Sequence, residues 1–206
     1  MIRAYWFGDN TLPNGDGRPV AIGTTHTVEP DRVEPCVYGL HASEHPFDAL
    51  QYAHCATLWQ VELGGVIKAH GDPVDKLACS ERTYLARIDA EPVLRAFARW
   101  CALRVAHLWD MPVEVRRYLE TGDEAFRAGA EHLASAAASA AARAAARAAA
   151  MAAASAAARD ASAAAMAAAR AAAMAAAMAA ARDEQRAEFQ RLIDEALAVE
   201  GKERGE

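Results

Sequence analysis

The chain has 206 residues, a formal net charge of −6 and a sequence pI near 5.7, and its length is compatible with one or two domains. Hydrophobic residues make up 53% of the chain, but many are alanines, so a conventional core can come only from about the first 130 residues. The four cysteines lack CxxC spacing and the first residues contain no apolar run. We therefore expect a cytoplasmic protein with reduced thiols rather than a secreted one.

Residues 1–89 are predicted to form a β-rich head, because short runs of β-branched and aromatic residues alternate with turn signals. Gly64-Gly65 is predicted to be a hairpin turn. One embedded helix is predicted in SEHPFDALQYA, with Ser43 as its N-cap and Pro46 in its first turn. The predicted strands are 2–7, 20–28, 37–42, 58–63, 66–69 and 83–88.

Residues 90–121 are predicted to form amphipathic helices that pack on the head. Asp89 is a suitable cap for the first helix, which carries an apolar face around Leu94 and Phe97. Pro112 is predicted to begin a second, shorter helix, and Gly122 to end it.

Residues 122–200 are predicted to form one long helix rich in alanine, the residue with the highest helix propensity. Thr121 and Glu124 have the spacing of a capping box at its start. At 1.5 Å per residue this helix is about 115 Å long. Its larger residues recur mostly every four positions and drift around the rod, which excludes a heptad seam. Residues 201–206 are predicted to be a disordered end.

The alanine-rich tract is not predicted to cross a membrane or to bind nucleic acid. Residues 134–182 contain five arginines and one aspartate, a charge of +4 that leaves −10 on the remainder. Each arginine in mid-membrane costs about 2.5–3.5 kcal/mol, and alanine offers little in return. Nucleic-acid binding calls for denser basic residues with interleaved aromatics. A spacer and an assembly element remain as interpretations.

The last turns of the long helix carry an apolar stripe that requires a partner. Its members follow the spacing i, i+3, i+4, i+7, i+8. The partner is either a second copy of the chain or the face of the same chain that carries Leu94, Phe97, Val105 and Leu108, and self-association is the preferred interpretation. The predicted oligomer interface consists of Met151, Met166, Met174, Met178, Phe189, Leu192, Ile193, Ala196 and Leu197.

Two polar clusters in the head are candidates for chemistry. The first contains histidines and cysteines that could bind zinc, but its spacing matches no known metal motif, and we predict neither a metal nor a cofactor. The second could line a pocket or supply turn and ion-pair residues. The clusters are Cys36, His41, His45, His54 and Cys55, and Lys76, Ser80, Glu81 and Arg82.

The phrases GLHAS and KLACSERT, followed by an amphipathic helix and an alanine-rich tail, resemble an uncharacterised family of phage, prophage and bacterial proteins. The resemblance extends over essentially the whole chain. It implies a compact α+β head with a variable helical tail, located in a bacterial host cell or a phage particle. It implies no activity.

A strand with a small polar motif, then DALQYA and LWQVEL, resembles the ADP-ribosyltransferase fold more faintly. The first catalytic position of that fold falls on Arg3, and its Ser-Thr-Ser motif falls on His41-Ala42-Ser43. A glutamate that stabilises developing charge is expected where Asp75 and Lys76 stand, and Glu81 is displaced from it. The resemblance implies an alternative site at Arg3, His41, Ser43 and Glu81.

The sequence as a whole predicts an α+β protein. A small antiparallel or mixed β head with one embedded helix precedes amphipathic helices and a very long C-terminal helix. We expect a non-enzymatic homo-oligomer that displays its head to an unknown protein or small molecule. The alternatives are an ADP-ribosyltransferase-like enzyme and a phage counter-defence protein that captures a host factor.

Overall fold

The computed structural model describes residues 1–13, 15–104, 106–108, 111–127 and 162–203, with side chains in the last range from 178 to 202. It confirms an α+β fold, and it divides the chain into two units, Met1–Phe97 with Glu184–Glu206, and Ala98–Asp183. The strands are β1 (Ile2–Phe7), β2 (Thr25–Thr27), β3 (Leu40–Ala42), β4 (Thr57–His70) and β5 (Lys76–Asp89). The α-helices are α1 (Pro46–Leu50), α2 (Glu91–Arg104), α3 (Val113–Thr121) and α4 (Ser162–Glu203).

The strands form an antiparallel sheet in the order β1-β4-β5-β2, and β3 pairs with another part of β5. The outer edge of β1 is also paired. Tyr5 and Ser43 exchange both backbone hydrogen bonds, at 2.8 and 2.9 Å. Because Ser43 directly follows β3, this bridge connects the end of β3 to β1 and so links the two sides of the sheet. Such closure leaves the middle of β1 without an open edge.

The predicted turn at Gly64-Gly65 is wrong, because β4 continues through both glycines. The register with β5 shifts between Gly64 and Ile67, and Gly65 has a φ of +64°. The backbone N–H of Val66 donates to Ser80 Oγ at 2.9 Å. These features define a β-bulge, which bends a strand without ending it. The hairpin turn lies instead at residues 71–75, between β4 and β5.

Two further predicted strands are shorter in the structure, and the cap of α1 differs. Strand β2 begins only after Gly23, and β3 begins after Gly39, whose φ values of +81° and +138° interrupt extended pairing. His45, rather than Ser43, occupies the N-cap position of α1. The backbone of Ser43 is held in the bridge to Tyr5, so it cannot begin the helix.

The predicted helix boundaries are confirmed at two points and wrong at a third. The Asp89 carboxylate accepts from the N–H of Glu91 at 3.0 Å at the start of α2. Gly122 ends α3 with a φ of +69°. The capping box at Thr121 does not form. Asp123 instead caps a short 3₁₀ helix, Glu124–Phe126, by accepting from Ala125 N–H at 2.9 Å.

The core of the head lies between the strands and the segments that cross them. Trp59, Val61, Leu63 and Tyr84 contribute large buried side chains from β4 and β5. Of the helices that the structure describes, none has the length and apolar character needed to cross a bilayer.

The C-terminal part of α4, from Glu184, belongs to the first unit and packs on other residues of that unit. Phe189 is fully buried, with ring centroids 4.9 Å from Phe97 and 6.3 Å from Phe47. Ile193 is also fully buried. A face of the same chain therefore covers these two members of the predicted oligomer interface. Arg186 adds an ion pair to Asp48, with Nη2 at 2.9 Å from Oδ2.

The other residues of the predicted oligomer interface are more exposed, or they lie outside the described residues. Met178 is 71% exposed, and Leu192, Ala196 and Leu197 are half-buried. Met151 lies outside the described residues, as do the side chains of Met166 and Met174. Residues 128–161, which belong to the predicted helix 122–200, also lie outside them. Helix α4 continues through Gly201 to Glu203, beyond the predicted end at 200.

Candidate ligand-binding cavity

A cavity of about 760 Å³ lies within the first unit, beside the bridge that closes the sheet. Small-molecule sites in proteins typically have volumes of about 300–1,000 Å³. Tyr5 and Ser43 line it, and so do residues 12, 13, 15 and 16 and the loop at 36–39. Tyr52 and His54, which follow α1, and Lys76 and Arg82 from β5 complete the walls. The closed strand framework therefore holds most of these side chains at fixed backbone positions.

Arg82 is the most unusual residue of the cavity wall, because its side chain is charged and only 2% of the residue is exposed. Its guanidinium lies 4.1 Å from the centroid of the Trp6 ring, a cation–π contact. Nη1 donates to the carbonyl oxygen of His41 at 2.6 Å. Nε and Nη2 donate to the Tyr84 hydroxyl at 3.2 and 2.8 Å. Burial lowers the pKa of Arg82, and Tyr84 opposes that effect.

These contacts leave hydrogen-bonding capacity on Arg82 unused. A guanidinium has five N–H donors, and three of them bond to neutral oxygens. One N–H on each terminal nitrogen therefore has no acceptor among the described residues. Arg82 also forms no ion pair with a carboxylate in the part of the chain that the structure describes. A buried cation without an anion is costly, and a planar guanidinium is well suited to an anion that brings two oxygens.

Tyr84 and His26 extend the network behind Arg82. The Tyr84 hydroxyl oxygen accepts two bonds from Arg82, and it lies 3.0 Å from His26 Nδ1. Because both lone pairs of the hydroxyl are occupied, its proton is directed to His26 Nδ1. Burial, Arg18 and Arg82 lower the pKa of His26. Burial raises the pKa of Tyr84, although Arg82 acts in the other direction. Neither residue therefore neutralises the arginine.

His41 holds the loop at the edge of the cavity. Its Nε2 accepts the backbone N–H of Cys36 at 3.1 Å. Cys36 has a φ of +66°, which is unusual for a residue other than glycine. The bond stabilises this conformation, and it places the imidazole proton on Nδ1. Burial, with smaller effects from Lys76 and Arg82, lowers the pKa of His41.

The remaining charges of the wall leave it positive. Asp16 is paired with Arg18, with Nε and Nη2 both 2.7 Å from carboxylate oxygens. Lys76 Nζ lies 4.0 Å from the centroid of the Tyr52 ring. The Tyr52 hydroxyl donates to Asp75 at 2.7 Å, which raises the pKa of Tyr52 to about 12. Among the described residues, Lys76 and Arg82 are therefore the two lining cations, and the one lining carboxylate, that of Asp16, already has a cationic partner.

The four positions implied by the fainter resemblance do not meet at one site. His41 and Ser43 line the cavity. Arg3 is exposed on β1 opposite Glu62 and is not among the lining residues. Glu81 is also exposed, and its carboxylate lies beside the bulge at Gly64. The structure thus brings Arg82 to His41 and Ser43, rather than Arg3 or Glu81.

The residues of the predicted pocket cluster do not all lie at one site, and neither do those of the predicted zinc cluster. Lys76 and Arg82 line the cavity, while Ser80 bonds to the backbone of the bulge. The nitrogen of His41 that could bind a metal is occupied by Cys36 N–H. His54 and Cys55 do come together, and a third residue, Asp9, joins them. No local pattern identified Asp9, because it approaches through the pairing of β1 with β4.

Residues 16–96 match the model of a domain family described as "Domain of unknown function (DUF7666)". The matched segment contains GLHAS and KLACSERT, the two motifs on which the family resemblance rests. It also contains Arg82, His41 and Lys76, but not β1. No curated protein and no solved structure matches the chain.

Proposed function

We propose that the head is a binding module for a small anionic ligand, held in the cavity by Arg82. The supporting observation is the buried guanidinium with two unused N–H donors and no carboxylate partner among the described residues. An anion with two oxygens would satisfy both donors and offset the desolvation of the charge. Lys76 adds a second cation to the same wall.

A phosphate-bearing ligand with a planar ring is the class that this cavity favours. Phosphate groups present paired oxygens to arginine forks. Tyr38 and Tyr52 supply aromatic surface in the same cavity, and Tyr52 is 42% exposed. A cavity of about 760 Å³ is large enough for a nucleotide.

Calorimetric titration of the full chain with inorganic pyrophosphate, adenosine diphosphate and adenosine tests the proposal. We expect one site per chain for the two phosphate compounds, an affinity that falls with salt, and no binding of adenosine. The variant Arg82→Met should lose about 10–100-fold in affinity, because hydrogen bonds to a charged group contribute about 1.5–3 kcal/mol. Absence of binding at millimolar concentrations, or equal binding by the variant, would overturn it.

The ADP-ribosyltransferase-like alternative is supported by one observation, the presence of His41 and Ser43 in the cavity wall. A nicotinamide dinucleotide belongs to the same anionic class, so it is a further probe for the same titration. Binding followed by release of nicotinamide would favour the enzyme. Binding without turnover would favour a module that captures a signal molecule, the phage counter-defence alternative.

Assembly through the alanine-rich segment is a separate proposal. It is supported by the sequence of residues 134–161, which is mostly alanine, because methyl side chains allow neighbouring helices to approach closely. Light scattering of the full chain tests it, with an expected mass that is a multiple of 22.0 kDa. A stable species of 22.0 kDa at all concentrations would exclude it and leave a monomeric binding protein.

A further inference from the structure

We propose that Asp9, His54 and Cys55 bind a zinc ion at the end of the β1–β4 ladder. Their ligand atoms, one from each side chain, all lie within 4.8 Å of one another. The set combines a carboxylate, an imidazole and a thiol, which are the three ligand types that zinc takes in proteins.

The sheet register explains why these residues meet. Strands β1 and β4 are antiparallel, with Phe7 opposite Leu58. Continued by two residues past the end of β1, this register leads Asp9 to Ala56, directly beside Cys55. The backbone N–H of Gly8 donates to Thr57 at 3.1 Å, which extends the pairing to this point.

A buried side chain also anchors the framework below the three residues. Trp59 Nε1 donates to the carbonyl oxygen of Gly8 at 2.9 Å, and Trp59 is 2% exposed. Phe7 and Leu58 are buried as well. The two segments that carry the ligands are therefore held side by side by hydrogen bonds and core packing, as a preorganised metal site requires.

The distance between Asp9 and His54 is compatible with a shared ion. His54 Nε2 and Asp9 Oδ2 are 3.8 Å apart, which is too long for a hydrogen bond. Two such ligands on a tetrahedral zinc lie about 3.3 Å apart, given metal–ligand distances of about 2.0–2.2 Å. The side chains are 52% and 66% exposed, so small rotations bring them to this separation.

The charges and the number of ligands also suit zinc. A carboxylate and a thiolate together balance the two positive charges of the ion, and the imidazole binds as a neutral ligand. Three protein ligands leave one tetrahedral position for water, the pattern found in catalytic zinc sites. His54 also lines the cavity in which we propose that an anionic ligand binds.

The test uses the full chain and the metals alone. Titration with Co²⁺ should give a thiolate-to-cobalt charge-transfer band together with the intense visible bands of a tetrahedral site. Competition with a chromogenic chelator should give one zinc per chain. Loss of an outer-shell partner already costs about 10–100-fold in metal affinity, so Cys55→Ser or His54→Gln should cost at least about 100-fold. Asp9→Asn changes an exposed side chain and should weaken zinc binding without loss of the folded state.

Cys36→Ser is the matched control, because Cys36 is an exposed thiol on the same cavity. It should keep both the charge-transfer band and the zinc affinity of the natural chain. The site is overturned if the natural chain shows no charge-transfer band, if the band survives in Cys55→Ser, or if Asp9→Asn binds zinc as tightly as the natural chain.

Discussion

The Arg82 guanidinium lies over the face of the Trp6 ring, with 4.1 Å between its central carbon and the ring centroid. Trp6 belongs to β1 and Arg82 to β5, and β4 separates the two strands in the sheet. The Trp6 ring and two neutral oxygens contact a charged side chain of which only 2% is exposed. Cation–π contacts contribute about 2 kcal/mol or more when desolvated, which offsets only part of the cost of burying this ion.

Replacement of Arg82 should therefore weaken anion binding with little change in the free energy of unfolding. We expect Arg82→Met to lose anion binding while its free energy of unfolding, measured by urea denaturation, falls by no more than about 1 kcal/mol. The substitution removes a buried charge without a carboxylate partner among the described residues, and relief of the cost of burying that charge should offset most of the loss of its hydrogen bonds to His41 and Tyr84. Tyr84 keeps its bond to His26 in the variant.

Arg82→Lys is the matched comparison for the same experiment. It keeps the charge but removes the planar fork, so it should retain weak binding, reduced about tenfold relative to Arg82. A large loss of stability in Arg82→Met would contradict the interpretation. It would indicate that the arginine is a structural residue whose bonds to His41 and Tyr84 hold the sheet together.

The pH dependence of stability should report on His41. Burial, Lys76 and Arg82 lower its folded-state pKa, so the unfolded chain binds the proton more tightly. Stability is then fully present above the unfolded pKa of about 6.5 and is lost as pH falls toward the lowered value. Each such histidine changes the unfolding constant by up to about tenfold per pH unit, and His26 acts in the same direction.

The variant His41→Gln should flatten this dependence between pH 7.5 and 5.5. Its amide oxygen can accept the Cys36 N–H, and it does not titrate. Cys36→Ser keeps the backbone donor, so its profile should match that of the natural chain. Urea denaturation at several pH values provides the comparison, and equal slopes for His41→Gln and the natural chain would contradict the assigned role of His41.

Local patterns were sufficient to predict some elements and not others. Residues 2–7 contain no glycine or proline and have strong β-formers, and β1 has the predicted bounds. A Gly-Gly pair suits both a hairpin turn and a β-bulge, so Gly64-Gly65 alone does not distinguish the two structures. The bulge is recognised only from the pairing of β4 with β5 on both sides of the glycines and from the bond that Val66 donates to Ser80 on the partner strand.

The residues of the candidate sites are also hard to predict from the sequence, because their contacts depend on how the strands pair. Arg82 was one of several polar residues that could line a pocket or form a surface ion pair. Its burial depends on Trp6 and Tyr84, which approach it through pairing across the sheet. Asp9 likewise reaches His54 through the β1–β4 register. Contacts of this kind, between residues on different strands, produce no recognisable pattern within a short window of the sequence.

Docking of α4 on the head should contribute strongly to stability. Phe189→Ala removes a fully buried ring from its contacts with Phe47 and Phe97. Truncation of a buried phenylalanine typically costs about 3–5 kcal/mol, and we expect a loss of this size in urea denaturation. Met178→Ala is the control on the same helix. Its side chain is 71% exposed, so the change should stay within about 0.5 kcal/mol.

A loss below about 1 kcal/mol in Phe189→Ala would contradict the docked arrangement. It would mean that the stripe is not enclosed by the head in solution and remains available to a second copy. The experiment therefore distinguishes the two partners that the apolar stripe allows, the same chain and another chain.

The ion pair between Asp48 and Arg186 should show an asymmetry between its two partners. The Asp48 side chain is 3% exposed, whereas that of Arg186 is 28% exposed. Arg186→Met leaves a buried carboxylate without its cation and should cost about 3 kcal/mol, the lower end of the range for buried pairs, because Arg186 is itself partly exposed. Asp48→Asn leaves a cation that water can still reach, and it should cost only about 1 kcal/mol.

Arg191→Met supplies the control for this comparison. Arg191 pairs with Glu188 and Glu195 on the same helix, but its side chain is 51% exposed, and exposed pairs contribute about 0–1 kcal/mol. Urea denaturation of the three variants should rank Arg186→Met as the least stable and Arg191→Met as the most stable. If Asp48→Asn were the most damaging, the carboxylate would be needed for contacts other than the ion pair. Equal losses for Arg186→Met and Arg191→Met would mean that water reaches Asp48 and that α4 does not seal this edge of the head.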